Sequence, residues 1–139
     1  MGHHLTAAKR SQHMRKIRKT DTKPELQVRR VAHRLGYRFR LHRRDLPGTP
    51  DLVFPRLRKA IFVNGCFWHQ HTGCPLARLP KSRQEYWLPK LKRNQERDKA
   101  ANSDLEQRGW SVEVIWECET NDKYALANKI ACFLASRNA

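Results

Sequence analysis

The sequence predicts one α/β domain, a mixed central sheet with helices on both of its faces. Two observations predict it. The hydrophobic periodicities run α-β-β-β-α-β-α along the chain, an order that packs as a sheet between helices. The chain has 139 residues, the size of one domain, long enough to bury a core without disulfide staples. No internal repeat or low-complexity linker divides it.

The elements follow in order. Residues 1–20 are polar and basic, and past Met1 their large apolar residues are Leu5, Met14 and Ile17. They read as a basic arm that orders on a partner, ahead of a domain over 21–139. Thr22-Lys23-Pro24-Glu25 is a helix start, with a Thr cap, an early proline and an acid in the first turn. Val28, Val31, Ala32 and Leu35 keep helical spacing until Gly36 stops the run. Tyr37 to His42 alternates apolar and polar, which predicts a strand. Leu46-Pro47-Gly48-Thr49-Pro50 is a turn. Asp51–Phe54 and Lys59–Asn64 are two further strands, the second buried on both faces. A Cys/His loop then runs to about Arg83, and a long charged helix spans roughly Lys90 to Gln107 before Gly109. Val112–Trp116 is the last strand. Asp122 to Ala135 is the last helix, with Leu126, Ile130 and Phe133 on one face. Cys132, in the apolar run Ile130–Leu134, is expected to be buried as a small hydrophobe.

Charge narrows the partner. The formal net charge is +16, and such an imbalance costs self-repulsion that a polyanion relieves. Residues 1–44 hold fourteen Lys and Arg against Asp21 and Glu25. Nucleic acid is the leading partner; an anionic membrane surface or plain solubility is the bland alternative. Neither a signal-peptide core nor a membrane-length apolar run is present, so no membrane-inserted segment is expected. Cysteines that look like metal ligands fit a reducing cytoplasm better than a disulfide framework.

Residues 64–74, Asn64-Gly65-Cys66-Phe67-Trp68-His69-Gln70-His71-Thr72-Gly73-Cys74, are the most informative stretch. Cys66, His71 and Cys74 follow the spacing C-x4-H-x2-C, a soft donor set suited to tetrahedral zinc. A fourth ligand is needed, and Cys118 is the natural candidate. The alternative is a chance cluster of buried thiols and a surface histidine. Upstream, Pro50-Asp51 puts a carboxylate at a strand start after a tight turn, a good place for a hard divalent cation. In nucleases of the PD-(D/E)xK type the next strand carries a second acid and a lysine. Here that stretch is Phe62-Val63-Asn64, with neither. His69, left over from the zinc set, is the candidate general base. Glu25 is expected to orient His69 or to assist the metal.

These residues resemble the very-short-patch-repair (Vsr) DNA mismatch endonucleases. The matching stretches include Arg18 to Glu25, Leu46 to Asp51, Ile61 through Cys74, Arg78 to Arg83 and Tyr86-Trp87. Further on come Asn94 to Asp98 and Gly109-Trp110 through Cys118. The resemblance covers roughly residues 11–134. It implies a PD-(D/E)xK restriction-endonuclease-like core with a structural zinc on Cys66, His71, Cys74 and Cys118. It implies catalytic magnesium on Asp51 and the Val63 carbonyl, with Glu25 and His69 completing the active site. One departure concerns Asn64, where some members have a histidine. Asparagine cannot transfer a proton at neutral pH.

The implied function is nicking 5′ of the thymine in T:G mismatches left by deamination of 5-methylcytosine. Phe67, Trp68 and Trp87 would wedge into the stack, which costs less at a wobble pair than at a matched one. Trp110 and Trp116, on or beside a strand, are expected to pack the core. Met14 and Ile17 form either a second wedge or the apolar side of a short helix folded onto the domain. Arg15, Lys16, Arg18 and Lys19 would hold phosphates. The resemblance further implies a monomer working in the bacterial cytoplasm beside a cytosine-5 methyltransferase, mismatch-repair proteins and a repair polymerase. Two other classes fit the residues: a same-fold nickase or restriction-type nuclease with another target, and a zinc-stabilised DNA-binding module without catalysis.

Overall fold

The computed structural model describes residues 21–138, so the expected wedge and phosphate contacts of Met14, Arg15, Lys16, Ile17, Arg18 and Lys19 lie outside the described residues. The elements are α1 (Lys23–Arg34), β1 (Arg40–Leu41), β2 (Leu52–Phe54), β3 (Lys59–Asn64), α2 (Gln84–Gln107), β4 (Ser111–Trp116) and α3 (Lys123–Ala135). The strands form one sheet in the order β1-β2-β3-β4. β1 and β2, and β2 and β3, pair antiparallel; β3 and β4 pair parallel, Lys59 opposite Ser111 through Asn64 opposite Trp116. The sheet is therefore mixed, as expected.

Strand alternation divides the core in two. Leu52, Phe54, Ile61 and Ile115 point to one face and pack with Val28 and Ala32 of α1 and Leu126, Ile130 and Leu134 of α3. Val53 and Ala60 point to the other and meet Leu46, Trp110 and Leu105 of α2. Burying both faces is what the apolar run of β3 demands. Thr22 caps α1 by accepting the Glu25 amide at 3.4 Å, and Gly36 leaves the helix at φ +88. Buried Lys59 donates to the Phe133 and Leu134 carbonyls at the end of α3, at 2.5 and 3.1 Å. A cation there matches the negative end of the helix dipole.

Three expectations change. The strand expected over 37–42 is reduced to Arg40–Leu41. Tyr37 and Phe39 do turn inward, with rings 6.3 and 5.9 Å from Phe54. They pack through their rings, and the β1–β2 pairing ends at Arg40 opposite Val53. The long helix starts at Gln84 rather than near Lys90, running through Pro89. Pro89 lies early in α2, where it removes one helical hydrogen bond without ending the element. Cys132 is exposed, not buried. On α3 the buried residues recur at 126, 130 and 134, and a position midway between two of them faces outward. Among the described residues no helix is long and apolar enough to cross a membrane.

Candidate active site and metal cluster

Asp51 is placed by the turn before it. Gly48 has φ +74, and a Cβ there would lie 2.7 Å from the Ala101 Cβ and 3.1 Å from the Phe62 ring. Only glycine lets the turn seat against α2 this closely. Asp51 then sits beside the end of β3, where its Oδ2 accepts the Val63 amide at 2.7 Å. In a strand the N–H and C=O of one residue face the same side, so the Val63 carbonyl faces Asp51 as well. Burial, opposed by the Val63 amide and reinforced by neighbouring Glu25, pushes the Asp51 carboxyl up to about 7. A carboxylate so crowded gains more than a solvated one from a dication. The donor chemistry thus fits a hard divalent metal.

Glu25 is buried in the first turn of α1. Its Oε1 lies 2.6 Å from His42 Nε2. Its Oε2 accepts the Asp21 amide and lies 3.2 Å from Arg29 Nη2. The same Arg29 nitrogen donates to Asp21 Oδ1 at 2.5 Å. Donor atoms of Asp21, Glu25 and His42 also converge within 4.8 Å, and Arg29 already pairs with both acids there.

His69 has a different partner from the one expected. Its Nδ1 lies 2.6 Å from Asp98 Oδ2, whereas Glu25 faces Asp51 and His42. The reason is topological: α1 lies on one face of the sheet and α2 on the other, and the loop after β3 leans on α2. Asn94 of α2 donates to the Trp68 carbonyl at 3.3 Å. Sequence reasoning missed Asp98 and His42. A signal for Asp98 existed: Trp87, Leu91, Asn94, Asp98, Ala101 and Leu105 repeat every three or four residues, one stripe of one helix. Asn64 is buried at the end of β3, opposite Trp116.

Donor atoms of Cys66, His71, Cys74 and Cys118 lie within 4.8 Å of one another. His71 Nδ1 is 3.7 Å from Cys66 Sγ and 3.4 Å from Cys118 Sγ. Tight turns fold the loop onto itself: the His71 amide donates to the Cys66 carbonyl at 2.9 Å and the His69 amide to Gly65 at 3.1 Å. Glu117 accepts the Cys66 amide at 3.2 Å. Burial pushes the Cys66 thiol up to about 12, so thiolate formation needs a cation, which a metal ion supplies. Three sulfurs and one imidazole nitrogen could hold a soft or borderline metal.

The aromatic residues divide accordingly. Trp110 is core. Trp116 stacks on His71, centroids 4.3 Å apart and planes 8° apart, and so buttresses the Cys/His cluster. Phe67, Trp68 and Trp87 form a half-buried cluster of rings with centroids 5.3 to 5.7 Å apart. Tyr86 continues it, 5.0 Å from Trp87, and Lys90 Nζ lies 5.4 Å above the Trp68 ring.

A family model described as DNA mismatch endonuclease Vsr matches residues 3–74. The chain belongs to the Vsr family. Relatives of this Vsr protein run the length of the domain. The type II nicking enzyme V.XorIIP of Xanthomonas oryzae is 49% identical over 91% of this chain and 92% of its own. The DNA mismatch endonuclease Vsr of Escherichia coli is 39% identical over 88% and 78%. The type II nicking enzyme V.NmeAIP of Neisseria meningitidis is 40% identical over 86% and 84%. Vsr proteins are endonucleases, hydrolases that cleave DNA.

Proposed function

We propose that this Vsr protein nicks one strand of duplex DNA 5′ of the thymine in a T:G mismatch arising from 5-methylcytosine deamination, with magnesium as cofactor. The carrying observation is the arrangement around the end of β3. Asp51 and Glu25 stand together on one side, and the Cys66–Cys74 loop leaves it carrying both His69 and the aromatic cluster. On this reading the core is a PD-(D/E)xK variant whose missing acid and lysine are replaced by histidine chemistry.

Asp51 and the Val63 carbonyl would hold the magnesium. When bound, the ion polarises the scissile phosphate and acidifies water. Asp98 fixes the imidazole with its proton on Nδ1, leaving His69 Nε2 to accept a proton from the attacking water. Asn64, without a titratable group, can orient but not transfer. His69→Ala should lower kcat by about a hundredfold or more. Asp98→Asn should lower it in the same direction by less, with duplex affinity kept, as single-turnover nicking and gel-shift titration would measure. An unchanged rate in Asp98→Asn would remove the dyad.

Phe67, Trp68 and Trp87 would unstack the mismatch. Each ring is braced by the other two, so truncating Phe67 or Trp68 to Ala should cut T:G-over-matched discrimination about tenfold or more, at roughly 1–3 kcal/mol per stacked base. General duplex affinity should persist in part, since the +16 charge adds a salt-sensitive term independent of sequence. Variants that discriminate as well as the parent would return these rings to a packing role. Arg15, Lys16, Arg18 and Lys19 would hold backbone phosphates, with Met14 and Ile17 beside them. Zinc is the ion proposed for the Cys/His cluster. The protein would act as a monomer in the bacterial cytoplasm, downstream of a cytosine-5 methyltransferase and upstream of repair synthesis.

Several relatives bear the name type II nicking enzyme, which keeps a nickase of other sequence context as the second reading. A nicking panel decides: T:G duplexes in different methylation-site contexts against their matched forms. Equal cleavage of matched DNA would overturn the mismatch reading, and no magnesium-dependent cleavage at all would overturn catalysis.

A further inference from the structure

His42 has no part in the chemistry described so far, yet it touches Glu25 through its ring and Asp51 through its backbone. It follows β1 directly. Its backbone amide donates to the Asp51 carbonyl at 3.2 Å, extending the β1–β2 pairing by one step. Its imidazole Nε2 lies 2.6 Å from Glu25 Oε1. Glu25 is on a helix and Asp51 immediately precedes β2, so one residue ties the two elements at the point where their acids meet.

The backbone at His42 adds a second observation. Its φ is +48, a left-handed conformation that strains a residue with a Cβ and suits glycine. Glycine would suit the turn better. A histidine held there, with its ring on a buried acid, is the kind of local strain that a site retains for its side chain. Arg29 supplies the other oxygen of Glu25 with a cation at 3.2 Å. With both oxygens engaged, Glu25 cannot swing toward solvent, and Asp51 beside it keeps one orientation.

We propose that His42 is a positioning residue of the nicking site, clamping Glu25 by its imidazole and Asp51 by its amide so that the two carboxylates hold one geometry. The proposal rests on the nuclease reading above and adds a residue to it. It also gives the short strand β1 a purpose: two paired residues are enough to present His42.

The experiment compares the parent with His42→Leu, His42→Gly and His42→Gln on a T:G duplex. His42→Leu removes the donor. His42→Gly also relieves the backbone and serves in place of His42→Leu if that variant melts below the assay temperature. His42→Gln keeps an N–H donor within reach of Glu25. The expected result is a kcat about ten- to a hundredfold lower in the Leu and Gly variants. KM and duplex affinity should stay within about twofold, and His42→Gln should recover most of the rate. Magnesium affinity, read by calorimetry without DNA, should weaken several-fold in His42→Leu and not in His42→Gln. A folded Leu or Gly variant nicking at the parental kcat would overturn the assignment, as would a Gln variant that is folded and no faster than Leu. If the parent itself fails to nick T:G duplexes, the functional reading fails separately. Magnesium affinity then decides, and equal affinity in parent and His42→Leu overturns the clamp.

Discussion

Asp51→Asn should abolish nicking and, in metal-free buffer at pH 8, should raise the melting temperature. Both halves follow from the crowding of Asp51. Its folded-state pKa is about 7, against roughly 3.9 for an unfolded aspartate. The folded chain therefore binds this proton more tightly than the unfolded chain does. The stability that the neutral carboxyl contributes is full below about pH 4 and is lost as pH rises toward 7. Above that pH the metal-free protein carries a desolvated carboxylate beside Glu25, a cost on the order of a few kcal/mol. Asparagine retains an oxygen for the Val63 amide and removes the charge. Its stability advantage should be near zero at pH 4, grow through neutrality and level off by pH 8.

Magnesium should reverse the ranking by stabilising the parent and not the variant, because only the parent binds it well. The catalytic loss should be about a thousandfold or more, the loss expected when several kcal/mol of charge stabilisation disappear. Mismatch affinity should remain, since phosphate contacts and the aromatic cluster are elsewhere. Thermal melts at pH 4, 6 and 8, with chelator or with magnesium, read the electrostatic part; a nicking time course reads the rest. Substantial magnesium-dependent cleavage by Asp51→Asn would refute the catalytic assignment. A lower melting temperature than the parent at pH 8 would refute the account of its cost.

The sequence disclosed what is decided locally. The Thr22 cap, the stop at Gly36 and the doubly buried β3 depend on neighbours a few positions away and stand as the periodicities predict, and on α3 Leu126 and Ile130 do too, with Leu134 more buried than the expected Phe133. Spacing alone brought Cys66, His71 and Cys74 into one group. Cys118 joins them because β4 runs parallel to β3 and ends beside it, so strand order was the only further step needed. Partners set by how elements pack were not legible. His69 and Asp98 are 29 positions apart, and Glu25 and His42 are 17 apart across a turn. No local pattern says on which face of the sheet each helix lies. Cys132 shows a different failure. Its apolar company suggested burial, but helical phase, not composition, decides which residues of α3 face the sheet.

Cys118→Ser should lose the metal and much of the stability together, whereas Cys132→Ser should do neither. Cys118 follows β4 and reaches back to the loop after β3, so the bond it would make to the metal closes a contact 47 residues long. Without the metal, the loop is held by turn hydrogen bonds, the Glu117 bond to the Cys66 amide and the Trp116–His71 stack. Structural zinc binding is worth about 10–16 kcal/mol in small finger peptides. A domain with its own core depends on it less, but a fall of more than about ten degrees in melting temperature is expected. The effect should extend to recognition, because Phe67 and Trp68 lie between two of the ligands. Mild chelation should erode T:G discrimination before the sheet unfolds, and added zinc should restore it. Elemental analysis of freshly purified, unchelated protein makes the decisive measurement. No zinc in the parent, or parental zinc content and melting temperature in Cys118→Ser, would show that these thiols are only neighbours. Cys132 is exposed on the far side of α3 from the core, so Cys132→Ser is the internal control: it changes the thiol count by one and should leave both readings where they were.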